Sequence, residues 1–258
     1  MRFGICTSTL EEAPAAKAAG WDFVEGSVQG QLQGLLPDEQ WTGKRAIERS
    51  SLPVPAMNLL VPASLKISGP DADLSKLRSY MQTVTRRAKE MDVDILVFGS
   101  GGARNVPEGF DREEAKRQIA AFAKVCAESA GAAGVTIVAE ALNRRECNIV
   151  NSIAEAMEYV RAVDHPNFQC LLDTYHFWLE NEPLENLRAA LPWIKHVHVA
   201  DVEGRLAPGE SKKADYKPIF RILKEAKYDG MMSVEAINFM ADAYPRVLEF
   251  LKQTWQQA

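Results

Sequence analysis

Four side chains able to bind a cation, Glu140, Asp173, His198 and Glu235, recur through the second half of this 258-residue chain at gaps of 33, 25 and 37 residues. Each closes or nearly closes a short apolar run, and each gap is close to one strand–helix–strand repeat of roughly 30 residues. Three carboxylates brought together repel one another and hold on to protons unless a cation lies among them. Three oxygen donors and one imidazole make a mostly hard set. That set favours Mn²⁺ or Mg²⁺, accommodates Co²⁺ or Zn²⁺, and differs from thiolate-rich zinc sites. Any one of these carboxylates alone reads equally well as a cap or as half of an ion pair. Three carboxylates and a histidine at successive strand ends point to a single metal-centred site.

His198 lies in the stretch Ile194-Lys195-His196-Val197-His198-Val199-Ala200-Asp201, which holds half of the four histidines and alternates with period two. Such a stretch reads as a buried strand with both rings on one face. A buried ring without a partner costs free energy, so both rings need one. His196, the deeper of the two, reads as a core or supporting ring rather than a ligand. Glu25 closes an earlier strand and reads as a structural strand-end carboxylate bordering the site. Cys6 has no base beside it in sequence, and burial by packing is its default.

The elements that must position these residues follow from the apolar pattern. Strands are expected at 2–7, 22–28, 54–60, 94–98, 135–141, 169–173, 194–201 and 231–236. Helical patterns at 10–19, 38–50, 73–91, 112–130, 152–163, 184–191, 216–226 and 242–256 separate them, the fourth of these helices being closed by Gly131. Alternation alone favours a parallel sheet with helices outside, as in a doubly wound sheet or a barrel. Eight units, with no glycine fingerprint after the first strand, point to a single (β/α)8 TIM barrel spanning 1–258. In such a barrel active sites lie at the C-terminal strand ends, where all four candidate ligands fall. The run Gly99-Ser100-Gly101-Gly102-Ala103-Arg104 lacks the GK[ST] ending of a P-loop and reads as a flexible loop lining the mouth, with Arg104 placed to meet a phosphate.

Composition narrows the class. A net charge of −5 gives no basic face for nucleic acid or an anionic membrane. No apolar run is long enough to span a bilayer, and the N-terminus lacks a signal-peptide pattern. The four cysteines are scattered, with no CxxC pair, which suits a reducing compartment. The expectation is a cytoplasmic protein with a small-molecule substrate, and long βα loops compatible with a lid or with homo-oligomer contacts.

The runs Glu140-Ala-Leu-Asn143-Arg144-Arg-Glu146, Leu172-Asp173-Thr-Tyr-His176, His196-Val-His198, Arg205-Leu-Ala-Pro208-Gly209-Glu210 and Val234-Glu235 add a resemblance. In order and spacing they resemble the xylose-isomerase-like sugar isomerase/epimerase superfamily, nearest its ketose 3-epimerase and hydroxypyruvate isomerase branch. The motifs cover the C-terminal half, and the strand–helix count extends the likeness to the whole chain. By that resemblance Glu140, Asp173, His198 and Glu235 ligate the metal, and Glu140 and Glu235 also exchange the substrate proton. His176, Arg205 and Glu146 would contact the substrate. Alone, His176 also reads as a satisfied strand-end ring, Arg205 as a solvated loop residue and Glu146 as surface charge.

Strands five and eight stand three steps apart around an eight-strand ring, so their carboxylates can approach a bound sugar from different sides. Epimerisation through a cis-enediolate requires that arrangement, and a 1,2-isomerisation can use the same intermediate. The expected function is therefore metal-dependent isomerisation or epimerisation of a small ketose, sugar phosphate or related hydroxy-carbonyl compound. The alternative is a lyase of the inosose or dehydroshikimate dehydratase kind. A histidine-rich zinc endonuclease fits poorly with four histidines and a negative chain, and a binding-only barrel fits poorly with both proton-transfer carboxylates present.

Overall fold

The computed structural model describes residues 1–258. Eight parallel strands close into a barrel in sequence order: β1 Arg2–Cys6, β2 Phe23–Ser27, β3 Ala56–Asn58, β4 Ile95–Phe98, β5 Thr136–Glu140, β6 Phe168–Asp173, β7 Ile194–Val199 and β8 Met231–Val234. Ten α-helices accompany them: α1 Ala13–Ala18, α2 Gly43–Glu48, α3 Leu74–Glu90, α4 Gly101–Arg104, α5 Arg112–Ala133, α6 Ile153–Val163, α7 Thr174–Leu179, α8 Leu184–Ala190, α9 Lys217–Glu225 and α10 Tyr244–Gln257. No helix is long and apolar enough to cross a membrane.

Period-two alternation sorts the strand residues into two layers. Val24, Met57, Leu96, Ile137, Leu172, Val197 and Met232 face outwards into the large core shared with the helices. Phe23, Ala56, Ile95, Val97, Val138, Leu171 and Met231 form a separate apolar plug inside the barrel. Gly4 makes room for that plug, because a Cβ there would collide with the Phe23 ring. Two residues beyond Phe23, Val138, Leu171 and Met231, the same inward alternation delivers Glu25, Glu140, Asp173 and Ser233. Hydrophobic burial thus floors a polar mouth.

One irregularity sets the histidines. Cys170 pairs with Ile194 but Leu171 pairs with His196, so Lys195 is an extra residue on β7. Such a bulge re-aims the residues after it. Ile194 joins the outer core, whereas His196 and His198 enter the barrel beside Leu171 and Asp173.

The eight strands lie where the pattern places them, seven with trimmed ends and β6 starting one residue earlier. The helices differ in five places. The 10–19 and 38–50 patterns shrink to α1 and to a 3₁₀ turn, Asp38–Gln40, followed by α2. α5 passes through Gly131 and stops at Gly134, whose φ of 72° takes the left-handed conformation that ends a helix. The expected glycine-rich loop forms the short helix α4. α7 has no counterpart in the sequence pattern. Asp173 caps it by accepting from the Tyr175 and His176 amides, which offsets the poor helix propensity of its β-branched and aromatic residues.

Candidate metal centre and substrate pocket

The C-terminal strand ends surround a cavity of about 370 Å³ lined by Asn58, Glu140, Glu146, His176, Arg205 and Glu235 among others. A groove of about 380 Å³ lies outside, between α3 and α5. Its Arg78 and Glu128 pair with each other, and it gathers no imidazole or carboxylate cluster. The cluster of carboxylates and imidazoles therefore lies at the mouth.

Glu140, Asp173, His198 and Glu235 each direct a donor atom into one cluster, all within 4.8 Å of one another. His198 Nδ1 lies 3.4 Å from Glu140 Oε1 and 3.1 Å from Glu235 Oε2. Glu140 Oε1 and His198 Nδ1 are buried without a hydrogen-bond partner, an expensive arrangement unless something binds there. Two orphaned donor atoms converging within a mostly oxygen set fit a divalent cation. Gly99 is required here, since a Cβ at that position would run into Glu140 Oε2.

The protonation preferences of the two flanking carboxylates are pulled apart. Burial, reinforced by the negative charge of Glu235, raises the Glu140 carboxyl despite the nearby His198. Burial also works against ionisation of Glu235, but His198 and Arg205 outweigh it and hold that carboxyl at about 2. Asp173 is raised, chiefly by burial. Arg205 is the counter-charge to the cluster. Its Nη2 donates to Glu235 Oε2 at 2.6 Å and lies 3.7 Å from Asp173 Oδ2, while Nη1 is 3.6 Å from Glu146. The guanidinium also stacks over Tyr175, 4.9 Å from the ring centre. Its backbone is left-handed, at φ 50°, next to Gly204 at 68°, and the Ile237 amide donates to its carbonyl at 2.9 Å. The β7–α9 loop is thereby tied to the β8 end.

His176 stands in the first turn of α7, not at the end of a strand. Its Nδ1 accepts from the Asn143 side-chain amide at 2.8 Å and from the Asn143 backbone N–H at 3.2 Å. The ring proton therefore sits on Nε2, a buried donor with no partner in a cavity-lining residue. Asn143 also donates to Glu146 at 2.8 Å, bringing that carboxylate to the rim.

Beneath this layer Glu25 is fully buried and meets both rings of β7, His196 Nε2 at 2.7 Å and His198 Nε2 at 2.9 Å. Burial opposes its ionisation, but the two imidazoles outweigh that and hold it well below the usual carboxylate range. Cys6, facing inwards from β1, is partly exposed and clusters with Glu25 and His198, in contrast to its expected burial. Arg104 corrects another expectation. It is buried and donates to the carbonyls of Phe98, Glu140 and Val150 at 3.2, 2.9 and 3.4 Å, so it is spent on backbone rather than free for a phosphate. Asn58, absent from the sequence-derived set, donates to Glu235 Oε1 at 3.0 Å. Its partner lies 177 positions away, and no local signal marks the pair.

The family model described as a xylose isomerase-like TIM barrel matches residues 13–254. A D-psicose 3-epimerase from Ruminiclostridium cellulolyticum is 27% identical over 67% of this chain and 60% of its own length. A putative hydroxypyruvate isomerase from Mus musculus is 28% identical over 52% of this chain and 51% of its own. The matches thus span between half and two thirds of these relatives. The crystal structure of D-psicose 3-epimerase from Clostridium cellulolyticum H10 with D-tagatose superposes with a TM-score of 0.84, covering 99% of each chain at 20% identity. The closed eight-stranded barrel is the fold seen in that structure, and this chain belongs to the xylose isomerase-like TIM barrel family.

Proposed function

We propose that this chain is a divalent-metal-dependent isomerase or epimerase of a small ketose or related hydroxy-carbonyl compound, working through a cis-enediolate. Glu140 and Glu235 carry the reading. They flank one imidazole nitrogen at 3.4 and 3.1 Å, line one cavity, and have opposite protonation tendencies. Paired titratable groups whose environments push them apart are the usual mark of an acid and a base.

Glu140, Asp173, His198 and Glu235 would hold the ion, with Mn²⁺ or Mg²⁺ suiting the oxygen-rich set. When bound, a divalent cation supplies Lewis-acid polarisation of a carbonyl and its neighbouring hydroxyl. Glu235, kept ionised by its ion pair with Arg205, is the base that removes the proton from the carbon beside the carbonyl. Glu140 is the acid that returns a proton to the other face, and the roles exchange in the reverse direction. The His176 Nε2–H and the Arg205 guanidinium donate to substrate oxygens as charge develops on them. Glu146 accepts from a hydroxyl at the rim. An unphosphorylated sugar is favoured, because Arg205 is the one cationic side chain lining the cavity and is already committed to Glu235.

The test is deuterium incorporation from D₂O into free and phosphorylated ketoses, with Mn²⁺ bound. Exchange at the carbon beside the carbonyl is expected with the free sugars, falling about 10²–10⁴-fold in Glu140→Gln and Glu235→Gln. No exchange across the panel with metal demonstrably bound would overturn the reading, and loss of water from the product would replace it with a lyase.

A further inference from the structure

The carboxylate of Glu25 lies a layer below the proposed ligands, outside the substrate cavity, and no step of the proton transfer needs it. Nevertheless, it is one of the most heavily invested groups in the barrel. It comes from β2, sits on the floor formed by the apolar plug, and reaches across to β7, 171 residues on from it to His196 and 173 to His198. Each of its oxygens takes one ring nitrogen, Oε2 facing His196 and Oε1 facing His198, and all three side chains are fully buried.

A carboxylate facing an imidazole nitrogen at this distance accepts a hydrogen bond from its N–H. The proton on His198 Nε2 is therefore held in place. The ring's other nitrogen, Nδ1, is left facing Glu140 and Glu235 at 3.4 and 3.1 Å, with no hydrogen-bond partner of its own. A ring free to rotate, or one protonated on Nδ1 alone, would offer no lone pair to a cation there. His196 completes the device. By occupying Oε2 it prevents the carboxylate from turning both oxygens to His198, and Ser233 Oγ, 3.3 Å from His196 Nε2, braces it from β8.

We propose that Glu25 is a positioning residue for the metal centre: it fixes the tautomer and orientation of His198 so that Nδ1 is presented to the cation, and His196 is the second anchor that holds Glu25 in register. The inference rests on the ligand set put forward under the proposed function. It adds that metal affinity is set partly from β2, by a group that touches neither cation nor sugar. Outer carboxylates of this kind are typically worth 10–100-fold in metal affinity.

The experiment is calorimetric titration of the metal-free full chain with Mn²⁺, alongside thermal melting in chelator to follow folding. Wild type should bind one Mn²⁺ per chain. Glu25→Gln keeps the volume and one acceptor but loses the charge, and should bind at least about tenfold more weakly. At saturating Mn²⁺ its kcat should recover to within a few-fold of wild type, which separates positioning from a part in the chemistry. His196→Gln retains a donor at the same reach and should bind within about threefold of wild type, whereas His196→Phe should fall several-fold. Should Glu25→Gln fail to fold, Glu25→Asp withdraws the carboxylate from both rings and should show the same loss of affinity.

Unchanged Mn²⁺ affinity in a folded Glu25 variant would overturn the inference. So would two Mn²⁺ per wild-type chain, which would put an ion rather than a proton between Glu25, Cys6 and His198. A wild type that binds one Mn²⁺ yet exchanges no sugar proton would leave this inference standing and remove the proposed function instead.

Discussion

The two halves of the barrel do different work at the mouth. Strands β5 to β8 carry Glu140, Asp173, His198 and Glu235, the groups proposed to meet cation and sugar. Strands β2 and β3 and the helix after β4 carry their supports. Glu25 on β2 holds His198, Asn58 on β3 holds Glu235, and Arg104 on α4 holds the carbonyl of Glu140. Asp173 is the exception, since its support is local. Its Oδ1 accepts from the amides of Tyr175 and His176 at 2.7 and 3.2 Å, leaving Oδ2 towards the site. The contrast teaches that a reactive carboxylate is placed by a neighbour supplied from far away in sequence, unless the chain turns at once into a helix that it can cap.

Replacing Asp173 with Asn should sharpen that contrast most. The asparagine oxygen keeps the α7 cap while the outward atom loses its lone pair. The chain should fold normally and yet bind Mn²⁺ at least about a hundredfold more weakly, more than losing an outer support. A parallel collapse of helix content by circular dichroism would mean that the cap and the ligand are not separable.

Arg104→Met attacks a support instead. Three buried carbonyls lose their donor, and the expected cost is about 2 kcal/mol of stability by urea denaturation. Activity should fall as well, through displacement of the Glu140 end of β5. Undiminished stability would show that water or main-chain shifts replace the guanidinium.

Acid titration in the presence of chelator should set the halves against each other. Glu25 is depressed, so its contribution is present above its ordinary value of 4.5 and is lost as pH falls through the folded value. Glu140 is raised, so its destabilising charge is absent below 4.5 and appears as pH climbs from there through the folded value. Melting curves of Glu25→Gln and Glu140→Gln, each compared with wild type, should therefore differ from it with opposite sign at neutral pH. Equal signs would break the distinction. The smallest effect is expected from Asn58→Ala. Losing one hydrogen bond to Glu235, which retains Arg205, should cost about 1 kcal/mol, or roughly fivefold in kcat/KM.

The sequence pattern carried the eight strands and their order because inward and outward residues alternate with little noise, and the proposed ligands sit where that alternation ends. It carried the supports poorly. Glu25 reads as an ordinary strand-end carboxylate until β7 is folded opposite it, and Asn58 and Arg104 acquire partners only on closure of the ring. α7 escaped notice because Thr-Tyr-His-Phe-Trp-Leu has no helical signature of its own and depends on Asp173 for its first turn. The residues of 99–104 misled in the other direction. A glycine-rich composition suggested a mobile loop with a spare cation, whereas the run folds into a turn of helix that inserts its arginine into the wall.

Gly99 bears on how this frame can change over generations. Any side chain at 99 would strike Glu140 Oε2, so the position has nothing to trade without dislodging that proposed acid. Leu59, Val61 and Leu142 line the same cavity with no such tie. Descendants fitting a different ligand into this barrel would therefore draw their variation from that apolar wall, while the glycine is inherited unaltered.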